Sequence, residues 1–522
     1  MIFPSILASL EYHFRGWPEL SLAFLCYLCI RWYLNFKNQV LANFPIVGAL
    51  PYILKNFHRL HDWYTELASK VGYSYLFKGP IFGGQMIFLT CDPRNVEYIL
   101  KKNFSNFPKG QKFLETLQVL GQGIISVETE TWHHQRKLAS KMFAAKEFRS
   151  FAAFASQKLV EDALLPTLDH VHAQASVIDL QNLFLRYAFD SSCAIILGRS
   201  PGFLSPSFPS NEFSEAMDVA REIIFNRNMM PSRWWKLLRW LGIGAERKVP
   251  GAIKAMDRYT SHYVSLMRED LQRGVEANCL LAIYMNSQEE RKDALLDEDE
   301  FLKDTSLALV YAGRDTVASG LTYFFYLISK TPRVENKLLE ELRLLRAIKN
   351  TKRNGCGRKH VDGVEMFDLE ELRELTYLEA ALYESMRLYP PSPLNLKSVL
   401  QEDVLPDGSV VRPGMQIIYS TYAMGRLKSI WGEDCLEFKP ERWLDDNGHL
   451  KAEAKLKFFG FSIGPRNCIG KEMAFAQMKP AAAAMLFNFQ VQVLEGQSIS
   501  PKPSTVLQLK HGLKARITRR IS

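Results

Sequence analysis

Apolar residues near the N-terminus form one almost continuous segment, whereas the rest of the chain shows mainly helical spacing. The segment runs from Trp17 to Leu34, and Arg31 and Lys37 place positive charge at its end. Its length approaches that of a spanning helix, and basic residues favour the cytosolic side. We predict a single membrane-spanning anchor over residues 1–36. The alternative, a cleaved signal peptide, would need a small-residue cleavage site after the apolar run, and none is evident.

Two segments with different sequence patterns follow the anchor. Residues 37–54 include the proline-bearing and glycine-bearing stretch Phe44–Pro51, which favours a stiff, non-helical hinge. From residue 55 to residue 522, helical periodicity dominates without internal repeats. The pattern therefore predicts one large domain over 55–522 that is mainly α with a small β subdomain.

Four short runs favour strands within this helical background. Ser74–Phe77 and Gln85–Thr90 lie early in the domain. Val506–Leu509 and Leu513–Ile517 flank His511-Gly512, a spacing that predicts a C-terminal hairpin.

An aromatic and basic stretch, Met230–Leu241, admits two interpretations. Trp, Arg and Lys alternate with leucines, which is typical of helices that rest on a membrane interface. The same pattern also suits an amphipathic helix that packs on the protein body, and the sequence does not decide between them.

Composition narrows the class of protein. The 522 residues are 47% hydrophobic and 23% charged, which allows a large core and excludes wholesale disorder. The net charge of +9 favours an acidic protein partner or an anionic membrane surface, and no nucleic-acid-binding motif is present. Eight scattered cysteines form no disulfide framework, as expected in a reducing compartment.

The segment Phe461-Ser-Ile-Gly-Pro-Arg-Asn-Cys-Ile-Gly470 carries the strongest chemical signal. Cys468 follows turn-forming residues and precedes good helix formers, so it lies at or near a helix N-terminus that stabilises a thiolate. Glycines let the backbone approach a flat cofactor, and Arg466 suits a carboxylate such as a haem propionate. A thiolate ligand on haem iron favours O–O cleavage. The alternative is that Cys468 is an inert buried thiol.

Two further segments suit the same chemistry. In Ala312-Gly-Arg-Asp-Thr316, the Thr316 hydroxyl can bond back to the Ala312 carbonyl and open the helix, while Gly313 leaves room for a close approach. Over a haem this arrangement would bind dioxygen, with the Thr316 hydroxyl and the Asp315 carboxylate relaying protons. Trp132 and Arg136 share one helix face, where both can donate to a propionate.

The spacing Phe-x-x-Gly-x-Arg-x-Cys-x-Gly resembles the haem-binding loop of the cytochromes P450, and the resemblance covers nearly the whole chain. It implies the cytochrome P450 fold, a thiolate-ligated haem with Cys468 on the iron, and an oxygen-activating helix through residues 312–316. It also implies haem contacts and a buried Glu–Arg–Arg network that locks the thiolate side. The implied haem contacts are Trp132, Arg136, Phe461, Arg466 and Gly470, and the network residues are Glu384, Arg387 and Arg442. Lys397 is a further candidate for a propionate.

Longer stretches, including Phe104–Gly110, Trp235–Gly244 and Leu394–Ser398, resemble the plant fatty-acid and alkane hydroxylases, closest to the mid-chain alkane hydroxylase group. The resemblance implies a monooxygenase of the endoplasmic reticulum membrane that takes O2 and a hydrophobic substrate such as a long-chain alkane or fatty acid. Members of that group also couple phenols oxidatively in alkaloid pathways, which stays an alternative.

Electrons would come from NADPH through a separate cytochrome P450 reductase, because the chain has no dinucleotide-binding fingerprint. We expect Arg466, Lys471 and Lys479 to form part of the docking surface for that partner. Two rival functions stay open at this point, a haem-thiolate isomerase or dehydratase that needs no external electrons and a haem-binding sensor or carrier. The intact Ala312–Thr316 segment argues against the first of these.

Overall fold

The computed structural model describes residues 17–36, 44, 47–79, 86–287, 297–352 and 364–520. Helices predominate in these residues. The helices are α1 (Trp17–Phe36), α2 (Leu50–Asn56), α3 (Leu60–Val71), α4 (Pro93–Glu97), α5 (Gln111–Leu117), α6 (Thr129–Ala144), α7 (Lys146–Leu159), α8 (Leu165–Ala173), α9 (Leu180–Leu197), α10 (Glu212–Met229), α11 (Ser232–Leu241), α12 (Val249–Gln272), α13 (Leu280–Asn286), α14 (Glu298–Lys330), α15 (Pro332–Lys352), α16 (Leu369–Glu374), α17 (Thr376–Leu388), α18 (Thr421–Met424), α19 (Lys428–Trp431), α20 (Ala452–Leu456) and α21 (Lys471–Asn488).

The strands are short and form small sheets. They are β1 (Ser74–Lys78), β2 (Met86–Thr90), β3 (Val177–Asp179), β4 (Leu394–Ser398), β5 (Asp403–Val404), β6 (Val410–Val411), β7 (Gln416–Ser420), β8 (Phe489–Val493), β9 (Pro501–Lys502), β10 (Gln508–Leu509) and β11 (Lys514–Arg519). The largest sheet has the order β1-β2-β7-β4, in which only β2 and β7 are parallel. The predicted mainly α architecture with a small β part is confirmed.

Helix α14 is the long central element that positions the site. It runs for 33 residues, and the Asp297 side chain caps its N-terminus by accepting from the backbone N–H groups of Asp299 and Glu300. Buried apolar residues of α14 lie on most sides of the helix, so the helix needs packing partners on several faces. These partners are α9, α12, α17 and α21. The middle of α14 is therefore held in a fixed place within the core.

The two early strands were predicted correctly, but the C-terminal hairpin was wrong. β10 pairs with β9, whereas β11 pairs with β8 and β3. The reason is a long-range contact, because the Asp179 carboxylate accepts the N–H of Leu513 at 3.0 Å and holds the chain beside β3. There, Ala515 and Ile517 alternate into the core, as a half-buried strand requires. Gln85, the first residue of the second predicted strand, lies outside the described residues.

The N-terminal predictions have mixed outcomes. Within the predicted anchor, residues 17–36 form α1, and residues 1–16 lie outside the described part of the chain. Across the described residues, no helix combines the length and apolarity needed to cross a membrane, so the structure does not show the predicted spanning segment. Part of the predicted hinge is helical instead, because Pro51 sits in the first turn of α2, where a missing N–H costs nothing.

The aromatic and basic stretch forms α11, and the interpretation as an amphipathic helix packed on the body is confirmed. Trp235 is buried beneath the Arg227 guanidinium, 4.5 Å from the ring centre, so the helix does pack on the body. Trp234, Leu237 and Trp240 are exposed on the same helix. An apolar strip therefore remains on its outer side.

Candidate haem-thiolate site

Cys468 lies in a tight loop directly before helix α21. Its N–H donates to the Phe461 carbonyl at 2.8 Å, and the Asn467 N–H donates to the Gly464 carbonyl at 3.1 Å. Gly470 occupies the N-cap position of α21, two residues after the thiol. The loop thus closes on itself and holds the sulfur beside a helix N-terminus, as the sequence predicts.

Gly464 is the residue on which this closure depends, and it gives a testable prediction. Its φ is +74°, and a Cβ there would lie 2.0 Å from the Leu100 carbonyl oxygen. Gly464→Ala is expected to cost about 3 kcal/mol or more of unfolding free energy and to lower the haem content, because strain and a backbone clash combine. The matched control Gly448→Ala has φ +80° but no atom within 4 Å, so only the ~1–2 kcal/mol backbone strain applies. Chemical unfolding measures both, and equal losses would contradict the clash.

The thiol opens into a large cavity. Cys468 is exposed to that cavity, yet burial within the protein raises the pKa of the thiol. The Gly470 N–H, Arg136 and Lys471 act in the opposite direction and stabilise the thiolate. A metal ion bound at the sulfur would complete the deprotonation.

The cavity has a volume of about 950 Å³ and lies between the Cys468 loop and the middle of α14. Aliphatic and aromatic side chains make up most of its wall. Among the described residues that line it, six carry positive charge and none is Asp or Glu: Lys78, Lys109, Arg136, Arg233, Lys397 and Arg466. The cavity therefore suits a largely apolar guest with negatively charged groups.

Two of the predicted haem contacts lie together on one wall. The Arg466 guanidinium stacks 4.2 Å from the centre of the Trp132 ring and donates to the Glu128 carboxylate at 3.2 Å. Burial lowers the pKa of Arg466 to about 10, with Glu128 opposing this shift. Arg136 donates to the Asn467 carbonyl at 2.8 Å, next to the thiol. The sequence analysis predicted that these residues contact one haem, and the structure brings their side chains close to one another.

Lys109 joins this cluster and was missed by the sequence analysis. Burial, together with Arg466 and Lys397, lowers the pKa of Lys109 to about 7. The pKa of Lys397 falls to about 8, again mainly through burial. Lys109 follows Pro108 in the Phe104–Gly110 segment, but nothing in that segment indicates that its side chain turns inward. Four basic side chains, those of Lys109, Arg136, Lys397 and Arg466, therefore gather near Glu128, and no Asp or Glu is among the described residues that line the cavity.

This arrangement fits an iron protoporphyrin. Its two propionates would supply the missing negative charge at Lys109, Arg136, Lys397 and Arg466, and Cys468 would hold the iron. A Cβ added at Gly470 would meet no protein atom within 4 Å, so the backbone is open to a flat group there. In the described part of the chain, no group of three or more His, Cys, Asp or Glu could hold a metal ion by itself. Haem iron needs only one such ligand from the protein, and the thiol of Cys468, which lines the cavity, can serve as that ligand.

The opposite wall contains the predicted α14 segment. The Thr316 hydroxyl donates to the Ala312 carbonyl at 2.7 Å, and both residues line the cavity. Gly313 also lines it, but the atom nearest to an added Cβ is Ser192 Oγ on α9, at 2.6 Å. The close approach that Gly313 permits is therefore between two helices as well as toward the cavity.

Asp315 lies elsewhere than the sequence suggested. It is buried and is not among the cavity-lining residues, because its carboxylate pairs with Arg221 on α10 at 2.9 Å and with Arg314 at 3.2 Å. Arg314 also donates to the Asp218 carboxylate at 2.8 Å. A proton relay through Asp315 therefore needs this pairing to loosen, and its role stays a prediction.

The three residues assigned to a structural network do meet. The Arg387 guanidinium binds both Glu384 carboxylate oxygens, at 2.7 and 2.8 Å, and Arg442 donates to the same carboxylate at 3.2 Å. The Trp443 indole N–H adds a fourth bond at 2.8 Å. Both side chains of the Glu384–Arg387 pair are fully buried. This network joins α17 to the segment that precedes the Cys468 loop.

Two of the predicted docking residues are placed against that role. Lys479 is buried and pairs with Glu379 at 3.2 Å, and Arg466 points into the cavity cluster. Lys471 is half-buried over the Phe461 and Tyr383 rings. The prediction that Arg466 and Lys479 form part of the docking surface was therefore wrong, because both side chains already form ion pairs inside the protein.

Comparison with known proteins agrees with this geometry. The family model described as Cytochrome P450 matches residues 39–517. The alkane hydroxylase MAH1 of Arabidopsis thaliana is 39% identical over 95% of this chain and 98% of its own length. Cytochrome P450 86B1 of Arabidopsis thaliana is 37% identical over 96% and 90% of the two chains. A noroxomaritidine synthase of Narcissus aff. pseudonarcissus MK-2014 is 35% identical over 97% of each. This chain belongs to the cytochrome P450 family of thiolate-ligated haem monooxygenases.

Proposed function

We propose that this cytochrome P450 hydroxylates a long-chain alkane or fatty acid, with electrons from NADPH delivered by a separate reductase. The observation that carries the proposal is the large cavity beside Cys468, whose wall is mostly aliphatic and aromatic. Such a wall binds a hydrocarbon chain through apolar contacts and offers it few polar groups that would fix its orientation. The likeness to the alkane hydroxylase MAH1 over 95% of the chain supports the same substrate class.

When bound, the haem supplies reductive O2 activation and insertion of one oxygen atom into a C–H bond. The side chains of this protein would bind the haem and orient the groups that react on it. Cys468 would hold the iron, and the Trp132–Arg466 stack with Arg136 would hold the propionates. Thr316 presents its hydroxyl oxygen to the cavity while its O–H donates to the Ala312 carbonyl, so the oxygen can accept a hydrogen bond from a proton donor there and orient it.

A membrane location is part of the proposal, at the endoplasmic reticulum with the catalytic domain in the cytosol. Helix α1 exposes Leu20, Phe24 and Ile30, and α11 exposes Trp234 and Trp240 beside basic residues. Side chains of these two kinds are favoured at the boundary between headgroups and acyl chains. A hydrophobic substrate could then enter the cavity without crossing water.

The proposal is tested by product analysis. Microsomes that contain this chain and a cytochrome P450 reductase would receive NADPH with hexadecane, hexadecanoic acid and a phenolic alkaloid precursor, and products would be identified by mass spectrometry. A hydroxylated alkane or fatty acid is the expected result. The likeness to a noroxomaritidine synthase motivates the second candidate, oxidative coupling of phenols. Turnover of the phenol alone would replace the first proposal with the second.

The proposed role of Thr316 gives a separate prediction. Thr316→Ala is expected to leave the haem spectrum intact while product formed per NADPH falls by roughly tenfold, because the oriented proton donor is lost. Thr316→Ser keeps the hydroxyl and serves as the matched control. Product, peroxide and NADPH consumption are measured together, and unchanged coupling in the alanine variant would remove Thr316 from proton delivery.

A further inference from the structure

Glu128 is a carboxylate that lies behind the basic wall of the large cavity. Lys109, Arg136, Lys397 and Arg466 line the cavity, whereas Glu128 is not among the described residues that do so. Its side chain is 14% exposed, beside an Arg466 side chain that is 10% exposed. A guest of the cavity would therefore meet the four basic side chains and not the carboxylate. A carboxylate so far removed from water must be paired and hydrogen-bonded.

The Glu128 carboxylate joins separate segments of the chain. One oxygen accepts the Lys109 N–H at 2.9 Å, and the other accepts the Gly110 N–H at 3.2 Å. The Arg466 guanidinium, in the Cys468 loop, donates to the first oxygen at 3.2 Å. Glu128 occupies the N-cap position of α6, yet its side chain does not cap that helix. The carboxylate thus holds the Lys109–Gly110 turn and the Cys468 loop instead of its own helix.

These contacts set the direction in which Arg466 points. Nη2 of its guanidinium donates to Glu128 and also to the Val127 carbonyl, at 3.0 Å, and the group stacks 4.2 Å from the centre of the Trp132 ring. Both hydrogen bonds to described residues come from Nη2. Nε and Nη1 therefore remain for a carboxylate on the cavity side.

Glu128 also acts on the two lysines of the wall. The Ser398 N–H donates to the Pro108 carbonyl at 2.8 Å, and the Ser398 hydroxyl donates to the Lys109 carbonyl at 3.1 Å. Strand β4, which carries Lys397, is thereby tied to the turn that Glu128 holds. Burial lowers the pKa of Lys109 to about 7 and the pKa of Lys397 to about 8, and Glu128 opposes both shifts. The carboxylate thus favours the charged forms of both lysines.

The backbone next to Glu128 is strained. Thr129 has a φ of +53°, in the left-handed region that a β-branched residue rarely adopts, and its hydroxyl donates to the Glu128 carbonyl at 2.8 Å. Strain of this kind persists only where surrounding contacts impose the conformation, and it is concentrated at binding sites. The bonds of the Glu128 carboxylate to two other segments are contacts of that kind.

We propose that Glu128 is a positioning residue for the haem propionates, which holds Arg466 and the Lys109–Gly110 turn in place from behind the cavity wall and offsets part of the positive charge there. The propionates would bind the basic side chains on the cavity side. Geometry then decides how tightly the haem is held, and the negative charge affects the reduction potential of the iron, since a nearby anion favours the ferric form. The role concerns the cofactor and is independent of the proposed substrate.

Transfer of haem from the purified enzyme to excess apomyoglobin measures the first effect. Glu128→Gln should release haem about tenfold faster, the factor that corresponds to one hydrogen bond to a charged group, because Arg466 loses its counter-charge and a backbone N–H loses its acceptor. Glu128→Asp keeps the charge but withdraws the carboxylate by one methylene, so it should also release haem faster. Glu130→Gln, exposed in the first turn of α6, is the matched control and should release haem at the wild-type rate. Wild-type release from both Glu128 variants would overturn the proposal.

Equilibrium reduction of the substrate-free enzyme measures the second effect. Glu128→Gln should shift the midpoint potential to a more positive value, because removal of a nearby negative charge favours ferrous iron. Glu128→Asp and Glu130→Gln should stay near the wild-type potential, since the first keeps its charge and the second changes a charge that water screens. A residue with a merely structural role would not move the potential, so an unchanged value in Glu128→Gln would contradict the proposal.

A double variant tests whether Glu128 acts through Arg466. Arg466→Leu should itself speed up haem release, and Glu128→Gln added to it should change the rate less than it does alone. Rates that simply multiply would show that the two residues act independently and would refute the positioning role. None of these measurements uses an alkane, a fatty acid or a phenol. Failure of the proposed function in product analysis would therefore leave their outcome unaffected.

Discussion

Replacing Cys468 by alanine is expected to abolish haem incorporation and all oxygenase activity. The thiol is the one side chain in the Cys468 loop that can ligate iron, and the loop closes around it through the Phe461 carbonyl. The basic side chains of Arg466 and Lys397 would remain in the cavity wall, but charge contacts alone do not hold iron in a defined coordination. The reduced spectrum with carbon monoxide, together with the pyridine haemochrome assay, measures the loss.

A cysteine outside the cavity provides a matched control for Cys468→Ala. Cys91 is fully buried at the end of β2 and does not line the cavity. Cys91→Ala removes one small apolar group from a core, so a modest loss of stability with full haem content is expected. Normal haem content and activity in Cys468→Ala would refute the assignment of the iron ligand.

Sequence patterns predict the thiolate loop well because its information is local. Ten consecutive residues specify a turn, a helix start and the sulfur between them, so no distant contact is needed to recognise it. The Thr316–Ala312 hydrogen bond is equally local, since it joins residues one helical turn apart. The structure brings both features to one cavity, although the sequence could not give the distance between them.

The predictions that missed depend on partners far away in sequence. Asp315 was expected at the cavity, but Arg221, almost a hundred positions earlier, binds its carboxylate. The Lys109 ammonium turns inward to donate to the Ile125 carbonyl at 2.5 Å, sixteen positions later in the chain, and Glu128 favours its charge there. The C-terminal strands likewise paired with β3, β8 and β9 instead of each other. Patterns over a few neighbouring residues contain no information about such long-range contacts.

Buried charge explains why the Glu384–Arg387 pair is a sensitive point of the fold. Removing water from two charges is expensive, and the pair is retained only because each oxygen and each N–H finds a partner. Arg387 adds a bond to the Cys435 carbonyl at 2.7 Å, and Lys439 N–H donates to Glu384 at 3.1 Å. The network thus ties the chain before the thiolate loop to α17.

Glu384→Gln is therefore expected to destabilise the protein by about 3–5 kcal/mol, because the buried Arg387 guanidinium loses its counter-charge. For a fold of marginal stability this is enough to prevent accumulation of haem-loaded protein. The surface pair Arg412–Glu402, at 3.1 Å with both side chains about 60% exposed, provides the control. Glu402→Gln should cost less than about 1 kcal/mol, because water and salt already screen that pair. Urea unfolding and haem content measure both variants, and a similar small loss at both sites would show that the buried network does not hold the thiolate side together.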